Sequence, residues 1–549
     1  AEDLRQQIEK VTGLAPGYYA RLRPTYVEEL HYRLRYRPSL GFAYYFWRAE
    51  EALSGLDTEL DLMLRAELLR TIKLLQETGN LGELSREELE VDAAVRWGIR
   101  SLFFLNDPQG ALALFERVRE RWVKSAEDLE LAWVHLKLYR AVARILRGEE
   151  QDWREARDLL LEVERECDQA LAGPPDAAGT RGFLAWLRSP RAPVETEARE
   201  GQRWRARILK ALALNYQGYL DRQQGQYKEA VRHYQASAML QRRLGMAGLA
   251  AVLINLSYAM ALIGECHHAR LLAEEAERCA RRHGQDYTLA VALNVRALVE
   301  EYDGHHTAAL RFTDNALTIV RGLRAPRVRG LIYLTRVRAC RHLLEPEAVY
   351  DAGEELFVEQ ALKEANQAVN LLKNNPPDRV TALIERGCLH REIARRHYDA
   401  GDHVAALQAA RSAERNLERT VTLAGAMDLS DQQALAWTSL AWLWYYAGHN
   451  DEADNALQEA ARCVPPEYCF PALAQAPCQH RQEARLPFWT TLGEGEMLRA
   501  NIALDESLHS DDEEEAKSDR LKEAVKHITL GLSYYAQVAN QYYELTRAE

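Results

Sequence analysis

Apolar residues along the 549-residue chain recur at helical spacing almost throughout, and few runs alternate as strands do. Within that background one unit repeats: an apolar helix, a turn containing Gly, and five residues later a small residue inside a second helix. Five copies hold strict phase, pairing Gly225 with Ala230, Gly264 with Ala269, Gly304 with Ala309, Gly401 with Ala406 and Gly448 with Ala453. Gly supplies the backbone angles that end the first helix, and Ala lets the second approach its neighbours closely. Side chains four and seven positions after each Ala share one helical face. They are Tyr234 and Ser237, Ala273 and Ala276, Thr313 and Ala316, Ala410 and Ala413, and Leu457 and Ala460. The pattern predicts an all-α chain of stacked helical hairpins.

The clearest unit reads Trp437, Leu440, Ala441 and Trp444, then Gly448, Ala453, Leu457, Ala460 and Pro465. A second reads Tyr216, Gly218, Gly225, Tyr227, Ala230 and Tyr234, and fainter copies place their small residue at Ala111, Ala156, Ala361 and Ala524. Both resemble the tetratricopeptide repeat (TPR), and the resemblance covers roughly residues 90–549. It implies a right-handed superhelical solenoid of TPR-like hairpins. Successive anchors at 230, 269, 309, 361, 406 and 453 lie 39, 40, 52, 45 and 47 residues apart, longer than the family's repeat of about 34. Such long spacing is similar to that of sensor regions in bacterial STAND signalling ATPases and of kinesin light chains.

Breaks in the repeat divide the chain. Residues 1–45 read as an N-terminal helical segment, out of phase and rich in Tyr and Arg, with helix breaks at Pro24 and Pro38. It is suited to be the tail of a module upstream. Hairpins follow at 46–172, a Pro/Gly-rich linker at 173–200, the core array at 201–466, and a Pro/Cys-containing loop at 467–486. A C-terminal hairpin and cap occupy 487–549, interrupted by an acidic loop at 507–520.

Composition narrows the class. Hydrophobic residues are 47% and charged residues 28%, a globular balance, and the net charge of −12 disfavours a protein that coats nucleic acid. Eight scattered Cys fit a reducing cytoplasm better than a disulfide scaffold. The uncharged stretches Ala247–Gly264 and Ala434–Asn450 fit helices buried in a solenoid better than membrane spans. The chain opens on Ala1, which suggests a fragment or processed product.

In the TPR pattern, the first helix of each pair lines a concave groove. The groove positions, carried over in phase, are Asn215, Tyr219 and Arg222; Tyr258; Asn294, Leu298 and Glu301; Arg391, Arg395 and Tyr398; and Trp442 with Tyr445. Arg336 joins the row, its phase left open by the insertion before Ala361. The later groove reads as basic and aromatic, suited to carboxylates, phosphates and planar groups. The plain alternative is that these Arg pair with Glu on neighbouring helices. The two-Lys clamp of chaperone-tail-binding relatives has no counterpart in the matching row.

Other candidates are weaker. His267, His268, His305, His306, His403 and His449 follow the turn Gly residues, where ordinary turn chemistry outweighs a metal site. Cys463, Cys469, Cys478 and His480 lack paired zinc-knuckle spacing, so no metal is assigned. Phosphate-loop, zinc-protease, nucleophile-elbow and dinucleotide signatures are all missing.

The expectation is therefore a non-enzymatic recognition (sensor) region of a larger bacterial signalling protein, cytoplasmic and without cofactor. Its partner is a protein or peptide, or a small anionic ligand, neither membrane nor nucleic acid. An upstream nucleotide-binding module belongs to the STAND resemblance. The alternatives are a free-standing TPR scaffold, or a regulatory subunit or region of a protease or nuclease effector.

Overall fold

The computed structural model describes residues 17–78, 86–122, 130–172, 194–344, 354–464, 486–509 and 514–547, apart from single positions 56, 104, 106, 149, 225, 324 and 428. Among the described residues every regular element is a helix, most of them paired in hairpins, so the expected all-α chain of helical hairpins holds. The chain divides into two compact units. The first comprises Ala1–Leu262, Cys266–Asp303 and Arg311–Val328; the second comprises Ile263–Glu265, Gly304–Leu310 and Arg329–Glu549.

The first unit begins with α1 (Gly17–Tyr36), α2 (Pro38–Ser54) and α3 (Thr58–Thr78). Four antiparallel hairpins follow: α4 (Arg86–Phe103) with α5 (Pro108–Trp122), α6 (Glu130–Arg147) with α7 (Glu150–Leu171), α8 (Val194–Gln223) with α9 (Tyr227–Leu244), and α10 (Leu249–Leu262) with α11 (Cys266–Arg282). Next come α12 (Asp286–Tyr302), α13 (His306–Val320) and α14 (Pro326–Leu343), the partition falling within the last two. The second unit continues with α15 (Glu354–Leu371), then the hairpins α16 (Pro376–Asp399) with α17 (His403–Ala426), α18 (Ser430–Tyr446) with α19 (Asn450–Arg462), and α20 (Leu486–His509) with α21 (Glu514–Arg547).

The repeat logic read from the sequence is physical. All nine small anchors, Ala111, Ala156, Ala230, Ala269, Ala309, Ala361, Ala406, Ala453 and Ala524, are buried. Gly264, Gly304, Gly401 and Gly448 adopt φ of 77–86°, the left-handed region that L side chains avoid. Gly225 lies outside the described residues. Asp402 caps α17, its carboxylate accepting the Ala405 amide at 3.1 Å. The uncharged run from Ala247 forms the short α10, buried on most of its surface. No described helix is long and apolar enough to cross a membrane.

One expectation fails at the N-terminus. Pro24 does not break a helix but lies inside α1, whereas Pro38 occupies the first turn of α2, where its missing amide costs nothing. The α2 helix is buried at every position from 40 to 53, charged residues included. Its rings Phe42, Tyr44, Tyr45, Phe46 and Trp47 are among the most enclosed in the molecule.

Burying charge is costly unless each charge is paired and hydrogen-bonded. Arg48 meets that condition by lying over the Trp47 and Tyr26 rings, 4.0 and 4.3 Å from their centroids, and donating to Glu51 at 2.9 Å. Glu50 accepts from Tyr139 at 2.7 Å and Arg96 at 3.2 Å, with His135 Nε2 at 3.1 Å. Burial alone pushes the Glu50 carboxyl upward, but His135, Arg96 and Tyr139 hold it below the ordinary range. The α2 helix thus ties α1, α4, α6 and α8 into one N-terminal core.

Candidate functional site

The first unit brings four of the expected residues together. Asn215, Tyr219 and Arg222 occupy successive turns near the end of α8, and Tyr258 faces them from α10. The Arg222 guanidinium lies over both rings, 4.9 Å from Tyr219 and 4.7 Å from Tyr258. Tyr219 Oη accepts from Arg327 Nη2 at 3.1 Å, so a second cation closes the cluster from the start of α14. These contacts form because α8 and α10 are the first helices of adjacent hairpins, so corresponding turns meet side by side.

A row of carboxamides runs beside this cluster. Asn255 Nδ2 of α10 donates to Asn215 Oδ1 of α8 at 3.0 Å. Asn294 of α12 is one repeat further on; it is only 6% exposed, and its Oδ1 has no hydrogen-bond partner among the described residues. An unpaired buried amide oxygen costs about 1–3 kcal/mol, so its retention calls for an explanation. Sequence phasing pointed to Asn215 and Asn294, each ten residues before its turn Gly, but missed Asn255, nine before Gly264. Arg327 carried no signal, since it precedes any groove position of α14.

The floor of this region connects to α2. Tyr216, next to Asn215, titrates upward because it is buried and because Glu50 of α2 lies near it. Glu51 of α2 accepts the backbone N–H of Ala247, at the entry to α10, at 2.8 Å. Leu298 and Glu301 continue the row along α12; Glu301 is buried and Leu298 is half-buried.

The second unit holds Arg336, Arg391, Arg395, Tyr398, Trp442 and Tyr445, and its three expected arginines each have a carboxylate partner. Arg391 donates to Glu392 Oε1 at 2.8 Å, and Arg395 donates to Glu392 Oε2 at 3.0 Å and to Asp399 at 3.1 Å. Arg395 also reaches the Leu344 carbonyl at 3.3 Å. Arg336 donates to Glu364 at 2.9 Å. Glu392 and Asp399 thus offset the charges of Arg391 and Arg395, and Arg396 joins Arg395 on the Leu344 carbonyl, at 2.8 Å. Burial raises the Glu392 carboxyl, but Arg391 and Arg395 outweigh it and hold the group below its ordinary range.

Aromatic residues dominate what is left. Trp442 contacts Tyr445 and Tyr446 at centroid distances of 5.9 and 5.6 Å, and the Tyr445 hydroxyl donates to Asp505 at 2.5 Å. Tyr398 is exposed and stands edge-on to His403 at 5.5 Å. Among the other histidines, His306 stacks on His342 at 4.8 Å, His267 stands edge-on to His268, and His449 Nδ1 is 3.7 Å from Glu452. Cys463 is half-buried, its thiol pushed up to about 11 by burial. Cys469, Cys478 and His480 lie outside the described residues.

No family model and no curated protein sequence matches the chain. Among solved structures it is similar to a Rap protein complexed with competence and sporulation factor, at 12% identity and a TM-score of 0.47, over 84% of this chain and 99% of that one. It is also similar to a circular tandem repeat protein with novel repeat topology and enhanced subunit contact surfaces, at 16% identity and a TM-score of 0.21, over 95% and 99% of the two chains.

Proposed function

We propose that this chain is a non-catalytic recognition region whose first unit binds an extended peptide segment along Asn215, Asn255 and Asn294. The observation that carries this reading is the buried, unpaired Oδ1 of Asn294, in series with a carboxamide pair one repeat away. A peptide backbone offers one donor and one acceptor per residue. A carboxamide answers both at once and carries no charge of its own. First helices packed about 8–10 Å apart place successive amides roughly three residues of extended chain apart. Arg222 and Arg327 beside Tyr219 then favour a segment bearing a carboxylate.

The link to α2 supports sensing over passive scaffolding. A ligand that shifts α8 or α10 acts on Tyr216 and on the Ala247 amide, both coupled to the charged side of α2. In this reading the N-terminal helices carry the signal to an attached module of a cytoplasmic bacterial signalling protein, as the STAND resemblance implies.

The test is selection from a random ten-residue peptide library on the 549-residue chain, followed by calorimetry on the enriched peptide. Asn294→Ala and Asn255→Ala each weaken binding about tenfold, or about 1.4 kcal/mol. Arg391→Ala leaves binding unchanged. Peptide binding indifferent to Asn294→Ala, in a variant whose melting temperature is intact, overturns the assignment. Sensing requires that bound peptide alter hydrogen exchange in α1 and α2; protection confined to α8–α12 leaves a scaffold.

A further inference from the structure

The last hairpin carries an apolar face that nothing described covers. Helix α21 turns Ala524, Gly531 and Tyr534 toward α20: Gly531 approaches the Gly493 carbonyl and Met497, and His527 meets Glu496 at 2.6 Å. About a quarter-turn around the same helix stand Leu521, Val525, Ile528 and Leu532, between 38% and 62% exposed. Their spacing of four, three and four is the seam of a helix pair. On α20, Leu498 and Ile502 face inward onto Ala441, Ala453 and Leu457, whereas Leu504 and Leu508 point away and are 39% and 67% exposed. Ser507 Oγ donates to the Lys517 carbonyl and Arg520 to the Glu506 carbonyl, which sets Leu504 level with Leu521 and Leu508 about one helical turn beyond it, at the end of the same row.

Six exposed large apolar side chains on two adjacent helices exceed the scatter normal for a protein surface. We propose that this face binds the same face of a second copy of the chain, forming an antiparallel four-helix bundle about a twofold axis. The axis passes between Lys526 and His527, setting Leu521 against Leu532 and Val525 against Ile528 across it. In that pairing Lys517 and Lys522 oppose the uncharged positions Ala536 and Gly531, and Lys526 opposes His527 rather than a second Lys. A parallel pairing sets Lys522 beside its own copy and is disfavoured. A 24-residue hairpin face is about 36 Å long and roughly 18 Å wide, giving about 650 Å² per copy. Twice that reaches the lower range of stable interfaces, about 1,200–2,000 Å² in total.

Light scattering and sedimentation on the 549-residue chain decide the matter. The mass rises from 62.7 kDa to twice that value with a dissociation constant of about 1–10 μM. Val525→Glu and Leu532→Glu, at exposed positions that leave the monomer folded, each weaken dimerisation at least tenfold. Leu69→Glu, an equally exposed leucine on α3, changes nothing. The proposal is overturned by a monomer that persists to about 100 μM, by a dimer indifferent to Val525→Glu, or by a different polypeptide that occupies the face and is released by Val525→Glu. Peptide binding at Asn294 is measured separately and is independent of this result.

Discussion

Glu51 Oε1 accepts the Ala247 backbone N–H at 2.8 Å, a hydrogen bond between residues 196 positions apart that joins α2 to the entry of α10. The same carboxylate holds the buried guanidinium of Arg48 at 2.9 Å. Removing it strands one amide and one cation in the core. Glu51→Ala costs about 3–5 kcal/mol in urea unfolding, and Glu51→Gln, which keeps an acceptor for Ala247, costs about 1–3 kcal/mol. Equal losses for the two variants would show that the carboxylate charge does not matter.

Glu385 on α16 accepts from Arg338 at 2.9 Å and Arg341 at 3.2 Å. Burial alone would raise its carboxyl, but the two guanidiniums reverse that and hold it at about 2, against an ordinary 4.5. A folded-state value below the unfolded one stabilises above the unfolded value and stops doing so as pH falls through the folded one. Glu385→Gln is therefore less stable than the parent at pH 7, by up to about 3 kcal/mol, and the gap closes between about pH 5 and pH 2. A gap independent of pH would remove the ion pairs as its cause.

His390 is shifted in the direction that burial imposes on a basic group. Burial, then Arg386 and Arg415, lower it from 6.5 to about 4. The unfolded chain takes up this proton first, so stability falls as pH drops from about 6.5 to 4. Imidazole chemical shifts should show His390 neutral at pH 5, and His390→Gln should flatten part of the acid decline. A midpoint near 6.5 would contradict the burial.

Gly218 sits inside α8, near its C-terminal end, where an added Cβ would lie 2.8 Å from the Tyr234 ring and 3.1 Å from the Ala230 carbonyl. Helix propensity alone makes Gly→Ala favourable by about 1 kcal/mol. Overpacking against α9 outweighs that, and Gly218→Ala lowers stability by about 1–3 kcal/mol. A rise in melting temperature would show that Tyr234 moves freely.

The repeat was legible because close approach between helices demands Ala at the contact and Gly at the turn, and neither demand depends on distant partners. Ala230 and Gly264 announce themselves locally. The α2 core was not legible for the opposite reason. Arg48, Glu50 and Glu51 read as solvated in any periodicity, and the partners that make the burial of Glu50 and Glu51 tolerable include Arg96, His135, Tyr139 and Ala247, 46 to 196 residues away by sequence number. Asn215, Tyr219, Arg222 and Tyr258 were found because in-phase positions on adjacent helices meet. Pairing of Arg391 and Arg395 was written one, three and four residues away, in Glu392 and Asp399, the last two at helical spacings that favour ion pairs.

During synthesis the aromatic segment Phe42–Trp47 leaves the ribosome long before Ala247 is made. At about 5–20 residues per second, the 196 residues separating Glu51 from its partner take roughly 10–40 s. Through that interval a helix carrying five large rings and three charges lacks part of its eventual enclosure. The nascent chain thus presents a transient client surface for holdases, and slowing elongation downstream of α3 should increase aggregation of the newly made protein rather than improve its yield.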